Sequence, residues 1–152
     1  MKKSKNITSI AFLATVLFFC GCKKDDTASG SSVPTTLKGQ VKAELNVNQT
    51  GNENVPDGTK ITFLINPNDL LNKPDTTKKL DSYRYSATVV GGQYTITLPA
   101  RNDGSKVKIV ADDFEYMWVY DSQGNSMRVV YSAPEGSITL YAGSTQYYDV
   151  NY

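Results

Sequence analysis

The chain has 152 residues, of which 39% are hydrophobic and 11% aromatic, with 16 basic against 15 acidic side chains and a formal net charge of +1. Charges this balanced argue against a nucleic-acid partner, which calls for a clustered basic face. Histidine is absent, which removes the commonest general base, the usual zinc ligand and the Ser-His-Asp triad together. No catalytic residue, cofactor or metal is therefore expected, because the many serines and threonines have no imidazole to activate them.

The chain opens with Lys2, Lys3 and Lys5, followed by an apolar run from Ile7 to Phe19 broken only by Thr8, Ser9 and Thr15. A positive start before a short apolar run reads as a secretory signal and is too short for a membrane span. Phe19-Cys20-Gly21-Cys22 resembles a lipobox. The resemblance implies a signal peptide over residues 1–21 and acylation of Cys22, with two or more acyl chains giving stable attachment to a membrane. Both cysteines lie at this junction, so the mature part is expected to hold no internal disulfide. With three lysines lost, 13 bases face 15 acids and the net charge becomes −2.

Lys23, Lys24, Asp25 and Asp26 come next. This run resembles the export signal of Bacteroidetes-type surface lipoproteins, which implies an outer-membrane location with the protein facing outward. Residues 22–36 are small and polar and read as a flexible tether, about 20 Å across as a random coil. Asp26-Thr27-Ala28 and Asp75-Thr76-Thr77 resemble the O-glycosylation sequon of the same bacteria, which would place glycans on Thr27 and Thr76.

From residue 37 to 152 the dominant hydrophobic period is two, the strand period. Leu37, Val41, Ala43, Leu45 and Val47 open the series, then Ile61, Phe63 and Ile65. Tyr83 to Val89, Tyr94 to Leu98 and Val107 to Ala111 follow, then Met127 to Tyr131, Ile138 to Leu140 and Tyr148 to Tyr152. Turn clusters such as Pro56-Asp57-Gly58, Gly91-Gly92 and Asn102-Asp103-Gly104 separate them, since glycine supplies positive φ and Asn or Asp bonds its own backbone. Seven to nine short strands spaced this way predict a single all-β domain, a β-sandwich. Asn66 to Leu80 lacks pattern and reads as an exposed connection with one helical turn near Asp69 to Leu71.

Leu37-Lys38-Gly39-Gln40-Val41, Val55-Pro56-Asp57-Gly58 running into Ile61 and Phe63, and Gly91-Gly92-Gln93-Tyr94 running into Leu98-Pro99 together resemble the carboxypeptidase-regulatory-like domain. The resemblance implies a transthyretin-like (prealbumin-type) Greek-key sandwich, Ig-like in general architecture, with a binding or spacer role and no activity. Asp112-Asp113 and the length of the 66–80 connection depart from that family's pattern.

Tyr116, Trp118 and Tyr120 share one face of a strand and Met117 and Val119 the other. The preferred reading buries the aromatics in the core, with Trp118 central to stability. The other leaves an aromatic row on the surface, able to stack on sugars or a protein partner. Asp112, Asp113, Glu115 and Asp121 lack the spacing of a calcium loop and read as solvated acids. The function expected is a non-enzymatic surface lipoprotein that contacts a protein or cell-envelope partner. Its alternative is an accessory glycan-binding lipoprotein of a nutrient-uptake system.

Overall fold

The structure, a computed structural model, describes residues 32–75 and 77–152. It is an all-β sandwich of eleven strands with one short 3-10 turn. The longest strand, β1 (Val33–Ala43), is the spine of the first sheet. Along one edge it pairs antiparallel with β5 (Gln93–Ala100) and then with β2 (Glu53–Asn54). Along the other it pairs parallel with β10 (Thr145–Tyr147) and β11 (Val150–Asn151). The second sheet runs antiparallel in the order β4-β3-β6-β9, with β3 spanning Lys60–Ile65, β4 Tyr83–Thr88, β6 Ser105–Ala111 and β9 Gly136–Leu140. The remaining pair, β7 (Phe114–Val119) and β8 (Ser126–Tyr131), forms a separate two-stranded hairpin.

The core lies where the inward residues of the two sheets meet. Leu37, Val41 and Ala43 of β1 are fully buried, as are Leu98 and Ala100 of β5, facing Ile61, Phe63 and Ile65 of β3, Val107 of β6 and Leu140 of β9. The Phe63 and Tyr94 rings, one from each sheet, lie 5.5 Å apart. Alternation places these side chains: successive residues of a strand point to opposite faces, so one apolar set is buried whole.

Tyr94 is also the reason a glycine stands opposite it. Gly39 is its cross-strand partner, and a Cβ there would lie 2.7 Å from the Tyr94 ring and collide with the Tyr148 carbonyl oxygen. The Tyr94 ring crosses β1 at that gap, and its hydroxyl donates to that same carbonyl at 2.7 Å. Burial, reinforced by Asp149 and Tyr148, pushes the Tyr94 phenol well above its ordinary value. Between β4 and β5, Gly91 and Gly92 take φ of 59° and 70°. That is the left-handed pair a two-residue hairpin requires, and reciprocal Val90–Gln93 backbone bonds close it.

Three departures from the sequence reading have physical causes. Val33 to Thr36, assigned to the tether, opens β1 instead and pairs with residues 97–100 of β5, Thr35 being buried. Threonine and valine favour strands as strongly as apolar residues do, and the composition of this segment concealed it. Eleven strands replace seven to nine because β2 and β10, two and three residues long, are too short to show a hydrophobic period, while the strand expected over Tyr148 to Tyr152 forms only as β11. Val47, grouped with the inward residues, lies beyond the end of β1 and is exposed. The 66–80 connection does carry its single turn, at Pro67–Leu70, and the Ser105 hydroxyl ties it down by donating to the Asp69 carbonyl at 2.9 Å.

Candidate functional site

The hairpin of β7 and β8 departs from the rule that governs the sandwich. Its register pairs Phe114 with Tyr131, Tyr116 with Val129 and Trp118 with Met127. Residues directly opposite share a face, so these six form one continuous apolar face. The other face carries Glu115, Met117 and Val119 opposite Val130, Arg128 and Ser126, so it is mixed, with Met117, Val119 and Val130 beside two charges and a serine. One strand pair cannot bury both faces against a single core.

The root of the hairpin is well fixed. Phe114 stacks on Tyr131 at 5.0 Å and meets Tyr152 edge-on at 4.8 Å. The Tyr131 hydroxyl donates to the Glu44 carbonyl at 2.8 Å and the Tyr152 hydroxyl to the Asp112 carbonyl at 2.6 Å. Burial, with the Asp112 and Asp113 charges adding to it, pushes the Tyr152 phenol up to about 12. Towards its tip the hairpin is held by a short parallel bridge: Val119 N–H donates to the Leu45 carbonyl and Val47 N–H to the Val119 carbonyl, each at 3.0 Å.

Between root and tip the side chains are left open. The expectation that the aromatic row enters the core fails. Tyr116 and Tyr120 are exposed, and Trp118 is half-buried and stands outside the core cluster. Met127 is 50% exposed, Met117 51% and Val130 58%. The cause is topological: β7 follows the Asp112-Asp113 corner out of the second sheet and, apart from the Val119 bridge, pairs only with β8. The open row is not a flat platform either, because the Trp118 and Tyr120 rings are inclined at 45° with centroids 5.9 Å apart.

The acids near the hairpin do not converge. Glu115 pairs with Arg128 at 3.1 Å. Asp121 closes the tip turn by accepting from the Gln123 and Asn125 backbones. The Asn125 side-chain bond, above all, holds the Asp121 carboxyl below the usual carboxylate range. Asp112 and Asp113 stand exposed at the corner. In the 44–54 loop, Glu53 Oε2 accepts from Leu45 N–H at 2.7 Å, while its Oε1 is buried without a partner among the described residues.

Two shallow clefts border the hairpin. One of about 470 Å³ is lined by Glu115, Tyr116, Met117 and Arg128, and one of about 330 Å³ lies between β7 and the 44–54 loop. A third, of about 380 Å³, lies on the outer face of the first sheet among Lys38, Gln40, Gln93, Thr95, Tyr147 and Asp149. Tyr147 is 71% exposed there. Sequence reasoning missed it, although it is the one aromatic out of phase with Tyr148, Val150 and Tyr152, and phase was the available signal. Met127 was missed as a surface residue because it alternates in phase with Val129 and Tyr131 and so matched the core pattern. Cys22, Lys23, Lys24, Asp25, Asp26, Thr27 and Thr76 lie outside the described residues. Comparison with protein-family models and with curated proteins finds no match to this chain.

Proposed function

We propose that this protein is a non-enzymatic, lipid-anchored binding module of the bacterial outer-membrane surface, contacting a protein partner through the β7–β8 hairpin. The observation that carries the reading is the hairpin's continuous apolar face, open beyond the root that Phe114, Tyr131 and Tyr152 fix, with Met117 and Val130 exposed on its mixed reverse. Contiguous exposed apolar side chains on a small domain mark interaction surfaces. Tyrosine, tryptophan and methionine are the residues that protein interfaces enrich. Anchorage rests on Gly21-Cys22 and outward orientation on Lys23 to Asp26. The carboxypeptidase-regulatory-like kinship, with its transthyretin-like topology, belongs to the same reading, which agrees with the place of Gly39 in β1 and of Gly91-Gly92 before β5.

A photo-reactive residue at Met127 tests it in intact cells, against the same residue at Ser86 on β4. The expected result is one discrete cross-linked species from position 127 only, lost on adding Tyr120→Ser. Equal labelling from both positions, or none from 127, removes the hairpin as the contact element.

A glycan-binding role keeps one specific support, the Tyr147 cleft. An exposed ring beside amide, hydroxyl and carboxylate groups can stack on a sugar face and bond its hydroxyls. Binding of purified protein to a glycan panel, abolished by Tyr147→Ala and untouched by Trp118→Ala, would move the function to that sheet.

A further inference from the structure

We propose that the hairpin receives an extended, basic-ended segment of its partner as an added strand along the free edge of β8. The proposal rests on the hairpin being the contact element and names what that element recognises.

The ladder shows which backbone groups are free. Tyr120 N–H donates to the Asn125 carbonyl at 3.1 Å, which continues the pairing of Val119 with Ser126. Hydrogen-bonded pairs alternate with non-bonded ones along an antiparallel ladder. Trp118–Met127, Tyr116–Val129 and Phe114–Tyr131 are therefore the bonded pairs, and the N–H and C=O of Ser126, Arg128 and Val130 point away from β7. Among the described residues none of these outward groups has a backbone partner. The same parity turns Val119 outward on β7, where it bonds Leu45 and Val47. The β7 edge is thus partly covered and the β8 edge is open.

Sheet proteins normally protect such an edge with proline, lysine, a bulge or a covering loop. Ser126 to Tyr131 contains no proline or lysine and pairs without interruption over six residues. Its one charge, Arg128, is turned back onto Glu115. An unprotected edge flanked by apolar side chains on both faces is the form that strand addition uses, with backbone bonds giving affinity and alternate side chains giving selectivity.

Charge decides the occupant. Asp112 to Tyr131 carries four acids, Asp112, Asp113, Glu115 and Asp121, against Arg128 alone, and the 44–54 loop adds Glu44 and Glu53 with no base. The acids stand at both ends of the edge: Asp112 and Asp113 precede Phe114, which faces Tyr131, and Asp121 follows Val119, which faces Ser126. A strand laid along β8 meets apolar neighbours, Met127 and Val129 on one face and Val130 on the other, and carboxylates at its two ends. A β-forming segment with lysine or arginine at its ends fits both. A second copy of the hairpin would bring the same acids against themselves, and an anionic lipid surface would meet them unfavourably.

The test uses the full chain carrying Cys22→Ser and a synthetic peptide of alternating valine and threonine with two lysines at each end. Its controls are a twin ending in glutamates and a twin N-methylated at alternate amides. Amide NMR should show Arg128 and Val130 N–H gaining protection with the lysine peptide, and both twins binding at least about tenfold more weakly. Val130→Pro removes an outward N–H at no cost in ladder bonds and should reduce binding by a similar factor. Neutralising Asp112, Asp113 and Glu115 together should do the same and remove the salt dependence. Equal binding of the N-methylated twin overturns strand addition, even if Val130→Pro fails to fold. Equal binding of the glutamate twin overturns the basic occupant. A dimer in sedimentation that Val130→Pro dissolves makes the occupant a second copy, which also overturns the proposal, as does partition onto lipid vesicles that the peptide does not displace. If no peptide binds while Met127 still cross-links a discrete partner, strand addition alone fails; if that cross-link is absent, the hairpin reading fails with it.

Discussion

The sandwich and the hairpin are built from the same kind of strand, yet they use alternation in opposite ways. In β1 and β3 every second residue is buried and its neighbours are half-buried or exposed, so period two specifies both strand and orientation. In β7 and β8 one set of side chains is wholly apolar and the other half apolar, and most stay open. Period two there specifies which residues share a face and says nothing about which face a core will take. A strand inside a closed stack answers to packing, whereas one that leaves the stack is free to answer to a partner.

Mutations should separate the two regions by size of effect. The largest belongs to the sandwich: Phe63→Ala empties a fully buried site, and such truncations cost about 3–5 kcal/mol of a total near 5–15. Its denaturant midpoint should fall by about a fifth or more, and an unchanged midpoint would mean the core has been misplaced. Gly39→Ala comes next, because the added methyl meets the Tyr148 carbonyl and the Tyr94 ring. Overpacking of this kind costs about 1–3 kcal/mol, and the double variant with Tyr94→Ala should lose less than the sum of the two, because the ring contact is gone, but more than Tyr94→Ala alone, because the backbone obstacle remains.

Alkali should produce a further, smaller loss. The Tyr152 phenol sits near 12 in the folded chain, above its ordinary 10. Its contribution is complete below pH 10 and disappears as pH rises from about 10 through about 12, and Tyr94 shifts the same way. Urea midpoints at pH 8 and pH 11 should therefore differ, and Tyr152→Phe should narrow the gap. A gap of the same width in that variant would assign the effect elsewhere.

The smallest change belongs to the hairpin. Trp118→Ala should cost no more than about 1 kcal/mol, since the ring lies outside the core cluster. The wild-type tryptophan emission should fall between the buried and water-like limits. Collapse of the domain on losing Trp118 would show the ring to be part of the core after all.

How much was legible follows from the same contrast. Ile61, Phe63 and Ile65 were readable as inward because Lys60 and Thr62 alternate with them, and Gly91-Gly92 because few other pairs tolerate two positive φ values in succession. Val33 to Thr36 was not readable, since polar strand formers next to a serine-rich segment look the same as linker. Trp118 was misjudged because hydrophobicity argues for burial only when a partner surface exists, and the position of that surface depends on β6 ending at Ala111 and the chain leaving the sheet through Asp112 and Asp113. The outward N–H groups of β8 carry no sequence signal, because every residue except proline has one.

The parallel pairing of the first strand with the last two has a mechanical meaning. Val33 lies at one end of β1, while Tyr152, whose N–H donates to the Lys42 carbonyl at 3.0 Å, lies at the other. A pull between these two points runs along the strands, so the bonds of β1 to β10 and β11 are loaded together in shear. Opening them one at a time from an end would need far less force. A force applied at those two ends therefore meets the pairing of β1 with β10 and β11 directly in its line of tension.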